Sequence, residues 1–304
     1  MSTAAEAERL PAGPILVATD FSADADRAVA RAALVAAASE RTLILLAVAP
    51  REALLPPWLG DGMPALASEE RLLKTIEGRL AETAARHRLP AFRLAVRFGK
   101  PWEAILEEAR GARASLIVLG ARGERGATSG LGSTAWRVLQ GARAPLLLVR
   151  RAAPSPYRRI LVALDFDAAA AAVLAAALEV AASAEVLLMH ALGGAPRLSL
   201  LTHGGASLDP LDVEPTALLA EARSRLEDFV RDRAAGRALE IRVVAGDPVA
   251  AVAKLVEEGC EAVAFGAPHR HPWLGRLLGS FALAQLSSAS ADLLIAPATH
   301  AHEG

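Results

Sequence analysis

The chain runs through one pattern twice. An apolar run ending at Leu119 stops at Gly120, passes through a glycine-rich polar stretch, and resumes at Gly132-Ser133 with apolar residues at helical spacing. A second apolar run stops at Gly266, and Gly279-Ser280 opens another such pattern. Gly120 and Gly266 lie 146 residues apart, close to half of the 304-residue chain. A fixed offset of that size marks a duplication. Other landmarks return in the same order. Asp20-Phe21 recurs as Asp165-Phe166, Gly99-Lys100-Pro101 as Gly246-Asp247-Pro248, and the apolar run 146–149 as 293–295. The segment 150–156, Arg-Arg-Ala-Ala-Pro-Ser-Pro, reads as the linker. Two domains are therefore expected, residues 1–152 and 153–304, each long enough to bury a real core.

Within each half, short apolar runs alternate with helical patterns. Strands are expected at 15–18, 42–48, 92–96, 116–119 and 146–149, and again at 160–164, 186–190, 241–244, 262–265 and 293–295. Helices are expected at 22–39, 68–86, 102–109 and 133–140, at 168–182, 217–235 and 249–257, and from Ser280 onward. Strands that are apolar throughout, joined by helices, imply a mainly parallel sheet covered on both faces. Right-handed crossovers make each half a doubly wound α/β unit with a five-stranded sheet. Long connections at 50–67 and 193–215 are candidate lids or contact surfaces. Trp58 and Trp273 fall in loops, and Trp102 and Trp136 read as core.

Composition narrows the function class. A net charge of −1 offers no bulk attraction for nucleic acid or an anionic membrane. A lone cysteine, Cys260, excludes an internal disulfide and reads as an ordinary, partly buried thiol in a reducing compartment. The first twelve residues lack the apolar core of a signal peptide, and no uncharged apolar stretch is long enough to span a bilayer. A cytoplasmic location is expected.

The strand–loop–helix unit from Gly120 to Ser133 suits an anion. Free N–H groups of a loop and of a helix's first turn point at a negative ligand, and glycine lets the backbone come close. The bland alternative makes Ser133 an N-cap and the glycines turn formers.

Taken together, these landmarks resemble the universal stress protein family, as a tandem two-domain member, over residues 13–151 and 157–298. The resemblance rests on the strand-end aspartates Asp20 and Asp165, the Gly-x-Pro turns Gly99/Pro101 and Gly246/Pro248, and a closing motif of the type G-x2-G-x9-G-[S/T]. It implies an adenine nucleotide alpha hydrolase-like fold with ATP across the carboxyl ends of the sheet, and Mg²⁺ on the phosphates. Asp20 would meet the adenine, with Ala18 and Thr19 beside it and Val48 against the base. Gly120, Arg122 and Gly123 would approach ribose and phosphates, and Gly132, Ser133 and Thr134 would bind phosphate. Asp165, Gly266, His269, Gly279 and Ser280 would form a weaker second site.

Both copies depart from the motif. Eight residues, not nine, separate Gly123 from Gly132. The second copy keeps the spacing but has His269 in place of a glycine, which would obstruct the phosphate path or, protonated, contact it. The first half is expected to be the competent one.

Other motifs fall away. Gly99-Lys100 is not a P-loop, because Pro101 stands where Ser or Thr should hold magnesium. His269-Arg270-His271 and His300-Ala301-His302 lack the cluster a metal site needs. Three readings remain open: an ATP-binding stress or regulatory module with an unknown protein partner, an interaction scaffold with degenerate sites, and a slow ATPase for which no positioned base is visible. In the scaffold reading the two halves pair face to face through 146–149 and 293–295. A further homodimer is compatible with all three.

Overall fold

The computed structural model describes residues 12–50, 65–122, 130–166, 169–192, 215–234, 236–267 and 280–297. In the first half, strands β1 (Ile15–Thr19), β2 (Leu43–Ala49), β3 (Phe92–Phe98), β4 (Leu116–Gly120) and β5 (Leu146–Val149) alternate with helices α1 (Ala23–Ser39), α2 (Ala65–Arg86), α3 (Pro101–Gly111) and α4 (Ser133–Gly141). The second half repeats the series with β6 (Arg159–Ala163), α5 (Ala170–Val180), β7 (Glu185–Leu192), α6 (Pro215–Arg231), β8 (Glu240–Ala245), α7 (Pro248–Glu257), β9 (Ala262–Gly266), α8 (Ser280–Ser288) and β10 (Asp292–Ala296).

All ten strands form one sheet in the order β3-β2-β1-β4-β5-β10-β9-β6-β7-β8. Neighbours within each half are parallel. The halves meet where β5 and β10 pair antiparallel, Leu148 opposite Leu293 and Leu146 opposite Ile295. The expected strands do pair, but edge to edge, so the sheet continues through the junction and no face-to-face packing is involved. The physical reason is that each half ends on a short, fully buried apolar strand with an open edge, and pairing satisfies both edges at once.

Alternation along the strands sends side chains to two cores, each running through both halves. Ile15, Val17, Leu147 and Leu294 pack beneath α1, α2, α5 and α6. Leu16, Leu148, Leu293 and Val263 pack beneath α3, α4, α7 and α8.

The junction is also tied by charge. Asp292, fully buried at the start of β10, accepts from the backbone N–H groups of Arg150 and Arg151 at 2.8 and 2.9 Å and from the Tyr157 hydroxyl at 2.7 Å. Arg31 of α1 lies 3.6 Å from the same carboxylate, stacks on the Tyr157 ring and donates to the Ser155 carbonyl. Arg41 pairs with Glu179 of α5 at 2.5 and 3.0 Å. The Arg150 guanidinium donates to the carbonyls of Leu286 and Ala289 at the end of α8, where the helix dipole favours a cation.

Candidate functional site

In an open α/β sheet the crevice lies where the strand order reverses, beyond the carboxyl ends of the strands. In the first half that point lies between β1 and β4, because β2 follows β1 on one side and β4 pairs on the other. A cavity of about 880 Å³ opens there. It falls within the range of roughly 300–1,000 Å³ typical of small-molecule sites.

The cavity collects residues from three strand ends and two helix starts. Ala18, Thr19 and Asp20 come from the end of β1, Val48 from β2, and Gly120 and Arg122 from the end of β4. Gly132, Ser133 and Thr134 come from the start of α4. Gly123 lies outside the described residues, as do the connections at 51–64 and 193–214 with Trp58.

Local chemistry sets this geometry. The Asp20 carboxylate accepts from the Ser22 N–H at 3.0 Å, and Thr19 Oγ1 accepts from the Phe21 N–H at 2.9 Å. These bonds hold the turn in which Phe21 takes a φ of 64°. Ser22 then caps α1 by accepting from the Ala25 N–H. Arg79 stacks over the Phe21 ring at 3.9 Å, and in the second half Arg225 stacks over Phe166 at 4.4 Å. The duplication thus survives in a cation–π pair as well as in the strands.

Ser133 is not the cap of α4. Gly132 is the N-cap, without a side-chain hydrogen bond, and Ser133 is the first helical residue. Neither the Ser133 nor the Thr134 hydroxyl has a partner among the described residues, and the first-turn N–H groups have no side-chain cap. These are the conditions under which a helix start receives an anion. Gly120 has a different explanation from close approach of a ligand. A Cβ there would lie 2.7–2.8 Å from the Asp24 carbonyl carbon and oxygen of α1, so packing alone requires glycine.

Sequence reading missed part of the lining. Lys100, Pro101, Trp102 and Ile105 enter from the start of α3, and Arg137 from the second turn of α4. Trp102, expected as core, is only half-buried, and Arg137 sits 5.4 Å above its ring. Gly99 has a φ of +135° and Gly246 of +118°, which only glycine adopts readily. Pro101 and Pro248 then start helices, where a missing N–H costs nothing. The repeated Gly-x-Pro is therefore a backbone signal that sets a helix start, and in the first half it puts Lys100 in the cavity lining.

The Arg122 charge reaches beyond the cavity. Burial, and after it repulsion from Arg122, holds the Arg150 guanidinium below its usual value against the pull of Asp292.

In the second half, Asp165 is exposed past the end of β6, Gly266 ends β9 and Ser280 starts α8. His269, Gly279, the basic run 270–276 with Trp273, and the terminal histidines lie outside the described residues. The position matching Ala47 is His190, which is buried, donates through Nδ1 to the Leu164 carbonyl at 2.9 Å and packs on Phe166 at 4.8 Å. Cys260 is fully buried, not partly, and burial raises its pKa, so it is a packing thiol. Among the described residues no three metal-ligating side chains gather, and no helix is long and apolar enough to cross a membrane.

The model of the universal stress protein family matches residues 12–150 and again 156–297. This chain belongs to the universal stress protein family. A universal stress protein of Thermus aquaticus is 39% identical over 139 residues, 45% of this chain and 97% of that one. The crystal structure of a universal stress protein from Archaeoglobus fulgidus superimposes with a TM-score of 0.68 at 17% identity, covering 95% of this chain and 100% of that one. A protein of unknown function from Pseudomonas aeruginosa gives 0.60 at 16% identity, covering 94% and 92%. These structures share the tandem fold; the family is carried by the sequence matches.

Proposed function

We propose that the first half of this universal stress protein binds ATP, and that the bound state alters contacts with a protein partner in stress response or regulation. The observation that carries this reading is the cavity at the β1/β4 switch point, which puts Asp20, Val48, Arg122, Ser133 and Thr134 around one volume of nucleotide size. Asp20 would accept a hydrogen bond from the base, and Val48 would pack against it. Arg122, the α4 N–H groups and the Ser133 and Thr134 hydroxyls would hold phosphate oxygens. Among the described residues no carboxylate cluster gathers, so Mg²⁺ would arrive on the phosphates and keep most of its waters. No residue is assigned to hydrolysis. We also propose that the two functional units divide at 152/153, just past the linker residues Arg150 and Arg151 that Asp292 holds.

Calorimetric titration of the intact protein with ATP and magnesium tests the reading. Saturable binding that is weakened at least tenfold by Arg122→Ala is expected. An intact, folded protein that takes up no ATP overturns it, and leaves the chain as an interaction scaffold.

A further inference from the structure

The crevice of the first half is rich in cations. Among the described residues, three cationic side chains, Lys100, Arg122 and Arg137, line the first-half cavity with Asp20 as the one acid. Arg122 and Arg137 form no ion pair with a described carboxylate. Lys100 reaches Glu103 on its own helix at 3.1 Å, in an exposed pair. Such a contact contributes little and is easily exchanged. Carried through the duplication, the offsets of 146 and 147 residues match Lys100 to Asp247, Arg122 to Pro268 and Arg137 to Ala284. None of these three cations is kept at its matching position. Moreover, Asp247 accepts from the N–H groups of Val249 and Ala250 at 3.1 and 3.2 Å, so α7 is capped by its own carboxylate. The matching N-cap of α3 is Lys100, which makes no side-chain cap.

We propose that Lys100 and Arg137, together with Arg122, make the first crevice a counter of negative charge. They select nucleotides by the length of the phosphate chain, and the exchange of Lys100 for Asp247 removes that selection from the second half. This rests on the nucleotide reading of the same cavity and extends it to residues outside the glycine loop. Trp102 keeps Arg137 aimed at the crevice by stacking, so the two act as one wall. The ligand class is a nucleoside di- or triphosphate, in preference to a nucleoside monophosphate or a cyclic one.

The test is a titration series with adenosine, AMP, ADP and ATP at fixed ionic strength, on the intact protein and its Lys100→Asp and Arg137→Ala variants. In the wild type, affinity should rise at least about tenfold from AMP to ATP, and that gain should shrink as salt is added. Each variant should lose about tenfold toward ATP while its affinity for adenosine stays within twofold. Both substituted residues are exposed, so the fold is expected to persist, and circular dichroism checks it. Equal loss toward adenosine and ATP, or no loss toward ATP, would overturn the selective role while leaving nucleotide binding intact. A wild type that binds neither adenosine nor ATP removes the underlying reading instead. As a converse, Asp247→Lys should leave the Lys100-dependent gain unchanged; a change there would mean that the selection does not reside in the first crevice.

Discussion

Asp292→Ala should be among the costliest single substitutions in this chain. Its carboxylate is fully buried and accepts three hydrogen bonds, two from the linker backbone and one from Tyr157. Removing it leaves the Arg31 guanidinium, itself almost fully buried, beside no described carboxylate. Breaking a buried pair from one side costs about 3–5 kcal/mol. The linker amides and the Tyr157 hydroxyl also lose a charged acceptor, which places the loss near the top of that range, about 5 kcal/mol. Urea unfolding followed by circular dichroism and by tryptophan fluorescence measures it. The mechanism is separated from bulk packing by a cycle with Arg31→Met. Once Arg31 is apolar, Asp292→Ala should cost less, by a coupling of about 2 kcal/mol. A loss below about 1 kcal/mol for Asp292→Ala, or a coupling near zero, would refute the claim that this carboxylate holds the junction.

The same cluster predicts an alkaline limit. Burial first, then the Asp292 charge, raises the Tyr157 pKa well above its ordinary value. Tyrosinate is thus disfavoured in the folded protein. Tyr157 contributes fully below the unfolded value of about 10 and progressively less as pH rises above it. Tyr157 is the only tyrosine in the chain, so tyrosinate absorbance reports it directly; titration near the unfolded value while the protein stays folded would contradict the burial. Gly120→Ala should destabilise by about 1–3 kcal/mol, because its Cβ meets the α1 backbone. Gly99→Ala should cost about 1–2 kcal/mol through its positive φ alone, with open space around it. Thermal melts of the two variants measure both losses.

The fold was legible because its signals are local and repeated. Apolar runs bounded by Asp20, Gly99 and Gly120, and their returns at Asp165, Gly246 and Gly266, specify strands, turns and order without any long-range information. The helix from Ser22 to Ser39 could be read from its cap and its acidic first turn, and α1 begins and ends there. Lateral contacts were harder to read. Residues 146–149 and 293–295 announce strands but not how two halves meet, and only the sheet reveals that they pair by their edges. Asp292 gave no signal because its partners, Arg31, Arg150 and Tyr157, are far away in sequence. Lys100 carries no P-loop signal, although its motif recurs with an aspartate in the same place. Comparing the chemistry of position x in the two Gly-x-Pro copies would have singled it out. Trp102 reads as core from its helical spacing, whereas its half-burial depends on where α3 starts relative to the strand ends.

The central claim is that one crevice of this tandem protein, and not both, holds an adenine nucleotide. The most direct measurement purifies the full chain without added nucleotide, saturates it with ATP and magnesium, removes the excess, denatures it and counts what is released. The account predicts one nucleotide per chain, lost on Asp20→Ala and retained on Asp165→Ala. Two per chain, or one that disappears with Asp165→Ala and survives Asp20→Ala, would contradict it.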